Sequence, residues 1–231
     1  MTKQIVIAHK GASGYAPENT IRSFRRAYEL GAHMVELDVR ETLDGQLVCI
    51  HDKSVDRTTN GSGEVHKLSY EELSKLDAGD GEIVPLLEDV LKYVSGKIQV
   101  NIELKTAGVE NEVLKIIERT GMENNILISS FLHGTLATIR DLNKDTATAI
   151  LFENPIEDIS QYALDFAANA INPHHNLISH ELVAEAHAET LKVYPWTVND
   201  LQRMKQLYAF GADGLITDYP DLALEILQRS S

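Results

Sequence analysis

Two histidines and two carboxylates near the start of the chain have the residue types of an acid/base site beside a metal ion. His9 and His51 each close a short apolar run rich in β-branched residues, and a third such run carries Glu36 and Asp38. Runs of this kind are typical of buried strands. Because side chains alternate along a strand, Glu36 and Asp38 share one face. Two carboxylates this close repel unless a proton or a cation lies between them, and a hard divalent ion is the usual solution.

The elements that must position these residues alternate between strand and helix almost to the end of the chain. Eight strands are predicted: Ile5 to Gly11, Met34 to Val39 with an extension ending at His51, Gln99 to Leu104, Ile126 to Phe131, Thr146 to Leu151, Ala170 to Pro173, Lys192 to Val198 and Gly214 to Asp218. Helical patterns separate them, at Asn19 to Leu30, Leu86 to Val94, Glu110 to Arg119, Thr135 to Leu142, Ile159 to Ala168, Glu181 to Thr190, Leu201 to Phe210 and Leu222 to Gln228.

This alternation predicts an α/β fold, a TIM-type (β/α)8 barrel in which the last strand lies beside the first. An open Rossmann-like sheet is the alternative. It is disfavoured because no G-x-G-x-x-G motif follows the first strand. At 231 residues, we expect one barrel domain over 1–231.

One segment interrupts the rhythm of strands and helices. Residues 53–85 are too many for an ordinary connection between a strand and a helix. The segment contains the turn-rich stretch Asp56 to Gly63 and a probable short helix from Ser69 to Leu76. We therefore predict a small insertion after strand two, lying over one end of the barrel.

The carboxyl ends of barrel strands are where the active site of such a fold lies. The third strand adds Glu103 to the same mouth as the two histidines and the first two carboxylates. An all-oxygen set of Glu36, Asp38 and Glu103 suits Mg²⁺ or Ca²⁺, whereas zinc more often recruits histidine or cysteine. This leaves His9 and His51 for proton transfer, one neutral to accept a proton and one protonated to donate it.

Composition limits the partners and the compartment. A net charge of -14 argues against nucleic acid or an anionic membrane surface as a partner, since both require clustered cations. An anionic substrate therefore needs a local cation. No apolar run approaches the roughly 20 residues of a membrane span, and Met1 to Gln4 lead into a strand without a signal-peptide core. The single cysteine, Cys49, agrees with a reducing compartment. We expect a cytoplasmic protein without a membrane anchor.

Four separated motifs resemble those of the bacterial glycerophosphodiester phosphodiesterases. They are His9-Lys10-Gly11 through Pro17-Glu18-Asn19-Thr20, then Glu36-Leu37-Asp38-Val39, then His51-Asp52 with Arg57-Thr58-Thr59-Asn60-Gly61-Ser62-Gly63, and finally Glu103-Leu104-Lys105. The resemblance covers nearly the whole chain and implies a TIM-type barrel. It implies metal-dependent hydrolysis of small glycerophosphodiesters to glycerol 3-phosphate and an alcohol. It also implies His9 and His51 as the acid/base pair, with Glu36, Asp38 and Glu103 holding Mg²⁺ or Ca²⁺, or Mn²⁺ as a third candidate.

Three further residues are candidates for substrate binding. Lys10 stands where the family usually has arginine. The lysine keeps a positive charge for the phosphate but lacks the two-pronged guanidinium fork. Lys105 offers a second cation, or alternatively an internal partner for Glu103. By resemblance, Trp196 packs against the glycerol or the leaving group. Phe131 ends strand four, where it lines the same mouth or belongs to the core.

The remaining histidines and the last strand end are interpreted more simply. Asp218, before Tyr219-Pro220, either caps the following helix or touches the substrate. Surface positions are predicted for His33, His66, His133, His180 and His187.

The favoured activity is hydrolysis of soluble, deacylated phospholipid head groups, with attack by the substrate's own 2-hydroxyl and a cyclic phosphate as one route. Lysophospholipase D activity is an alternative, but it needs an apolar rim and residues 53–85 are mostly polar. A non-catalytic binding protein on the same barrel would be expected to have lost one of the histidines or one of the metal-binding carboxylates, but all five residues are present in this sequence. A barrel isomerase or aldolase would need a Schiff-base lysine or a glycine-rich phosphate loop. The sequence leaves open the head group, the metal, the oligomeric state and which histidine is the acid.

Overall fold

Strands and helices alternate along the chain in the computed structural model, which describes residues 4–229. The residues Met1 to Lys3, part of the opening interpreted above as lacking a signal-peptide core, lie outside this range. The strands are β1 Ile5–Ala8, β2 Met34–Glu41, β3 Leu47–Cys49, β4 Gln99–Leu104, β5 Ile126–Ser130, β6 Ala147–Phe152, β7 Ala170–Pro173, β8 Lys192–Val193 and β9 Gly214–Thr217. The helices are α1 Ile21–Leu30, α2 Tyr70–Leu73, α3 Leu87–Val94, α4 Glu110–Thr120, α5 His133–Leu142, α6 Ile159–Asp165, α7 His180–Ala188, α8 Leu201–Ala209 and α9 Pro220–Arg229.

Eight of these strands form a nearly closed parallel barrel, in the order β8-β7-β6-β5-β4-β2-β1-β9. The two ends of this order meet through backbone hydrogen bonds: the Asp213 amide donates to the Val193 carbonyl at 3.0 Å, and the Ile216 amide donates to the Pro195 carbonyl at 2.9 Å. The last strand pairs with the first, as Ile7 with Ile216. The predicted TIM-type barrel is therefore confirmed.

The seventh barrel strand is shorter than predicted. Regular pairing ends at Val193, because Pro195 has no N–H to donate to a neighbouring strand. The Trp196 amide still donates to the Pro173 carbonyl at 3.1 Å, and His174 and Trp196 form an isolated parallel bridge. The backbone therefore continues to the mouth of the barrel as an irregular extension.

β2 divides its side chains between two environments, as its alternation indicates. Val35, Leu37 and Val39 are fully buried in the apolar layer between the barrel and its helices. Glu36 and Asp38 consequently point into the barrel interior. Burying each of the three apolar side chains contributes about 1.5–3 kcal/mol, so the packing of β2 fixes which face the carboxylates occupy.

His51 reaches the mouth at the end of a return strand that follows the turn at Leu43-Asp44-Gly45. β3 pairs antiparallel with β2, with Val39 opposite Cys49, and the Ile50 amide donates to the Asp38 carbonyl at 3.0 Å. His51 is thereby brought back to the level of Asp38.

The segment after β3 builds a small core of its own. Its buried residues are Val48, Ile50, Val55, Val65, Leu73, Ala78 and Val84. The short helix predicted from Ser69 to Leu76 is the single turn α2, whose N-terminus is capped by Ser69. These apolar side chains pack against one another, whereas Ile83 in the same segment is 46% exposed.

Two of the histidines predicted as surface groups are half-buried and form hydrogen bonds with backbone groups distant in the chain. The His33 Nδ1 accepts a hydrogen bond from the Val6 amide at 3.1 Å. The His133 ring lies 2.8 Å from the Leu151 carbonyl and 2.9 Å from the Tyr162 hydroxyl. The prediction was wrong for both because a lone histidine in a sequence carries no signal of a backbone partner that lies distant in the chain. His66 and His180 are exposed, as predicted.

Asp213, just before β9, ties together the amino-terminal end of the barrel. Its carboxylate, 4% exposed, accepts hydrogen bonds from the Lys192 Nζ at 2.9 Å, the His187 Nε2 at 2.8 Å and the Val193 amide at 3.0 Å. Burial acts to raise its pKa, but the hydrogen bonds from Lys192 and His187 hold the pKa of Asp213 below its usual value. The ionised carboxylate of Asp213 is therefore more stable in the folded protein than in the unfolded chain.

We expect Asp213→Asn to lower the free energy of unfolding at pH 7 by about 1–3 kcal/mol, because buried donors lose a charged acceptor. A carboxyl with a lowered pKa stabilises the fold above its unfolded pKa of about 4, and this contribution is lost as the pH falls through the folded pKa. The difference in unfolding free energy between the wild type and the variant should therefore become smaller below about pH 4. Urea unfolding at pH 7 and pH 3.5 measures it, with the exposed Asp141→Asn as control. A deficit that does not change with pH would contradict the charged network.

Candidate active site

A cavity of about 290 Å³ opens at the carboxyl ends of the barrel strands. It contains all but one of the predicted site residues, the exception being Asp38, which is buried beneath its wall. The lining residues are His9, Lys10, Glu36, His51, Asn101, Glu103, Lys105, Ser129, Phe131, Leu151, Glu153, Asn172, Trp196, Thr197 and Ile216. The fold therefore brings together residues from both ends of the chain, from His9 to Ile216.

Three carboxylates meet on one wall of this cavity. Glu36, Asp38 and Glu103 are each less than a tenth exposed, and one oxygen of each lies within 4.8 Å of the others. The register of β2 and β4 sets this arrangement, because Asp38 stands opposite Glu103. The buried Glu36 Oε1 has no hydrogen-bond partner within residues 4–229. An all-oxygen set with an orphaned oxygen fits a hard divalent cation such as Mg²⁺ or Ca²⁺.

One ammonium group partly neutralises these carboxylates. The Lys105 Nζ lies 3.1 Å from the Asp38 Oδ1 and also contacts the Glu103 Oε1. Burial raises the pKa of Glu103 to about 7, although Lys105 acts to lower it. Burial, with Asp38 and Glu103 nearby, raises the pKa of Glu36 well above its usual range. A single lysine is thus insufficient for three buried carboxylates, which is the electrostatic reason to expect a further cation.

His9 is oriented by a carboxylate from the opposite end of the chain. The His9 Nδ1 donates to the Asp218 Oδ1 at 2.7 Å. Asp218 also accepts hydrogen bonds from the Ser13 hydroxyl at 2.9 Å and from the Asn199 Nδ2 at 2.6 Å. This arrangement fixes the tautomer and leaves the His9 Nε2 for a bound substrate. Of the two interpretations of Asp218, the structure supports neither helix capping nor direct cavity lining; its carboxylate positions His9.

His51 has an equivalent carboxylate in its immediate neighbour. The His51 Nδ1 donates to the Asp52 Oδ1 at 2.6 Å, and the Arg57 Nε donates to the Asp52 Oδ2 at 2.7 Å. Arg57 in turn binds both oxygens of Glu18 at 2.8 Å. Burial lowers the pKa of His51 below its usual value, although the Asp38 carboxylate acts in the opposite direction. Burial therefore favours the neutral form of the ring.

Lys10 contributes to the cavity through both its backbone and its side chain. Its φ is 53°, an uncommon conformation for a residue other than glycine. In this conformation its amide donates to the Glu36 Oε2 at 2.9 Å, and its Nζ donates to the Glu18 Oε1 at 3.3 Å. Gly11 follows with a φ of 79°, and a Cβ there would lie 2.6 Å from the Ser23 backbone. The loop after β1 is therefore held close against α1.

Asn19 holds the second carboxylate in a similar way. Its φ of 57° explains why α1 begins at Ile21, two residues after the predicted start, with Thr20 as the capping residue. The Asn19 Nδ2 donates to the Asp38 Oδ2 at 2.8 Å, and its Oδ1 accepts from the Asp38 amide at 3.1 Å. The Asn19 amide group therefore fixes one Asp38 oxygen and leaves the other to face Lys105 and the carboxylate cluster.

The rest of the cavity lining combines aromatic rings with unpaired polar side chains. The Trp196 Nε1 donates to the Asn172 carbonyl at 2.8 Å, and its ring lies edge-to-face with Phe131 at 5.4 Å. The side-chain amides of Asn101 and Asn172 and the Ser129 hydroxyl are buried without hydrogen-bond partners among the described residues. Buried polar groups of this kind require partners, which a hydroxyl-bearing substrate or water supplies.

Several positioning residues carried little signal in the sequence. Asp52 and Arg57 lie within the motifs identified above, but their hydrogen bonds to His51 and Glu18 do not follow from spacing. Asn199 is 19 residues from Asp218, and Asp218 is 209 residues from His9. Contacts at such separation depend on barrel closure. For the contact with His9, the sequence offers one signal: Asp218 is a carboxylate at the end of the strand predicted to lie beside the first strand.

Comparison with known proteins gives the family. Residues 9–222 match the model of the "Glycerophosphoryl diester phosphodiesterase family". A glycerophosphodiester phosphodiesterase of Caldanaerobacter subterraneus subsp. tengcongensis is 38% identical, over 98% of this chain and 99% of that protein. One of Bacillus altitudinis is 37% identical, over 99% of each chain.

Solved structures agree with the sequence comparisons. An Oleispira antarctica phosphodiesterase in complex with the product sn-glycerol-3-phosphate has a TM-score of 0.92 and 29% identity, covering 98% of this chain and 97% of that one. With the matched family model and full-length relatives above 30% identity, the chain belongs to the glycerophosphoryl diester phosphodiesterase family.

Proposed function

We propose that the protein hydrolyses glycerophosphodiesters to glycerol 3-phosphate and an alcohol, with His9 and His51 as the acid/base pair. The observation that carries this proposal is one cavity holding two carboxylate-oriented histidines beside a buried acidic triad. The named relatives, and the product bound to the Oleispira antarctica neighbour, support it. Acting as a phosphodiesterase requires both a proton acceptor and a proton donor, and each histidine offers its Nε2.

Glu36, Asp38 and Glu103 would hold the metal ion, most simply Mg²⁺ or Ca²⁺, with Mn²⁺ as a third candidate. When bound, a divalent ion supplies charge neutralisation for a phosphate oxygen and for the growing charge of the transition state. The orphaned Glu36 Oε1 and the excess negative charge around Lys105 support this assignment.

Lys10 and Lys105 place positive charge on the same side of the cavity. A phosphodiester is anionic, so its phosphate is attracted to these ammonium groups within a protein whose net charge is -14. Lys10 acts as a point charge rather than as a two-pronged clamp. The unpaired amides of Asn101 and Asn172 offer hydrogen bonds to the glycerol hydroxyls.

The reaction proceeds by proton transfer between substrate and histidines. The Nε2 of one histidine removes the proton of the glycerol 2-hydroxyl, whose oxygen attacks phosphorus. The bond to the alcohol oxygen breaks, and the second histidine protonates that oxygen. The second histidine then removes a proton from water, whose oxygen attacks phosphorus. The bond to the glycerol 2-oxygen breaks and the first histidine protonates that oxygen, which leaves glycerol 3-phosphate. An internal nucleophile of this kind reaches effective molarities of roughly 10⁵ M when well oriented.

Lysophospholipase D activity is the weaker alternative. The apolar residues of the segment after β3, including Val55, Val65 and Leu73, are buried in its own core. They are therefore not available as a rim for an acyl chain. None of the helices within residues 4–229 is both long and apolar enough to span a membrane.

We expect the purified protein to release glycerol 3-phosphate from glycerophosphoethanolamine when Mg²⁺, Ca²⁺ or Mn²⁺ is present. EDTA should abolish release, and excess metal should restore it, because the acidic triad needs a cation. A coupled assay for glycerol 3-phosphate measures both effects. Absence of product with every metal and with several head groups would exclude the proposed activity.

We expect His9→Ala and His51→Ala each to lower kcat by about 10²–10⁴-fold, the usual contribution of a positioned acid or base. His180→Ala, at an exposed position on α7, is the matched control and should keep wild-type activity. Circular dichroism and thermal unfolding establish that each variant is folded. Wild-type rates in both site variants would refute the acid/base assignment while leaving hydrolysis itself intact.

Asp218→Asn tests how His9 is positioned. The variant lacks the negatively charged acceptor that orients the His9 ring, so kcat should fall at least tenfold with a smaller change in KM. Asp218→Glu, which keeps the charge, should recover part of kcat. Asp221→Asn, whose carboxylate accepts from the exposed Tyr15 hydroxyl, is the control. A loss confined to thermal stability, with kcat unchanged, would show that Asp218 is merely structural.

A further inference from the structure

Glu153 is a cavity residue for which the proposed chemistry has no role. It follows the last residue of β6, lines the cavity and is exposed to solvent. Within residues 4–229 its carboxylate makes no hydrogen bond or ion pair, in contrast to the other cavity carboxylates. A free negative charge at the mouth of a site for an anionic substrate needs an explanation.

The register of the barrel places Glu153 beside aromatic rings. Phe152 pairs with Pro173, so Glu153 stands level with His174, whose amide donates to the Phe152 carbonyl at 2.8 Å. His174 in turn forms a bridge with Trp196, and the two rings lie edge-to-face at 5.2 Å. The Trp196 ring also contacts Phe131, which is 39% exposed. The carboxylate and the rings of Phe131 and Trp196 therefore share one rim of the cavity.

The phosphate cannot be the group that Glu153 recognises. A carboxylate repels phosphate, and the cations Lys10 and Lys105 lie elsewhere on the cavity wall, beside Glu18 and the acidic triad. Lys105 is 5.9 Å from the Phe131 ring centroid, but its Nζ contacts Asp38 and Glu103 and therefore lies at the acidic triad. The substrate is thus oriented with its phosphate toward the lysines and another portion toward Glu153.

We propose that Glu153, Phe131 and Trp196 form a subsite for a positively charged alkylammonium head group. Aromatic rings with an adjacent carboxylate bind ammonium ions through the negative potential of the ring faces and through direct charge attraction. The net charge of -14 acts in the same direction, since it disfavours head groups that add negative charge. This inference rests on the proposed hydrolysis and specifies the alcohol that is released.

A role for Glu153 that does not depend on the charge of the head group makes a different prediction. If its carboxylate accepted a hydrogen bond from a glycerol hydroxyl, every glycerophosphodiester would depend on it to the same degree. If it binds a cationic head group, only substrates with such a head group depend on it. Selectivity between two substrates, rather than activity toward one, therefore separates the two roles.

The experiment compares kcat/KM for glycerophosphocholine, whose head group is cationic, with kcat/KM for glycerophosphoglycerol, whose head group is neutral. Glu153→Gln should lower the value for glycerophosphocholine about fivefold and change that for glycerophosphoglycerol less than about twofold, as for a partly solvated charge interaction. Glu157→Gln, an exposed position in the same loop outside the cavity lining, should change neither value. Glu153→Lys should lower the ratio further.

An equal loss for both substrates, or no change in their ratio, would overturn the subsite. Hydrolysis of neither substrate by the wild-type protein would instead remove the proposed function, and the subsite with it. The two failures are therefore distinguishable within one set of measurements.

Discussion

Three carboxylates in a nearly solvent-free pocket are the constraint to which the rest of this structure responds. Glu36, Asp38 and Glu103 bring three acidic groups within 4.8 Å, where burial strongly disfavours ionisation. The surrounding groups are donors aimed at individual oxygens: the Lys10 amide on Glu36, Asn19 on Asp38, and Lys105 between Asp38 and Glu103. Two of these donors, Lys10 and Asn19, have positive φ. Such backbone conformations cost about 1–3 kcal/mol each and persist where the surroundings enforce them.

The barrel supplies the rigidity that this cluster needs. The ladder between β2 and β4 fixes Glu36, Asp38 and Glu103 relative to one another, and the apolar face of β2 prevents a one-residue slip that would turn its carboxylates outward. Closure between β1 and β9 brings Asp218 to His9. His51 follows β3, which pairs with β2, so the position of this histidine is tied to the strand that carries Glu36 and Asp38.

The sequence predicts this site well where chemistry follows strand periodicity. Alternation along β2 gives the shared face of Glu36 and Asp38, and eight strand-like runs give the barrel. The sequence does not predict those positions of strands and side chains that depend on tertiary contacts. The turn at Gly45 follows from the sequence, but the register in which β3 pairs with β2 does not follow from periodicity. Pro195 shortens β8, and the Asp218–His9 contact spans nearly the whole chain. Local sequence patterns specify the face of a strand on which a side chain lies, whereas closure of the barrel determines which distant residues that side chain contacts.

Lysine at position 10, where the family usually has arginine, is best understood through its neighbours. Glu18 receives both prongs of Arg57 and one contact from Lys10, and Arg57 also holds Asp52 against His51. A guanidinium at position 10 would compete with Arg57 for the oxygens of Glu18. A lysine, with a single charged centre, shares Glu18 without displacing Arg57. The loss of a forked contact at position 10 is therefore compatible with the orientation of His51, which the Arg57 fork maintains.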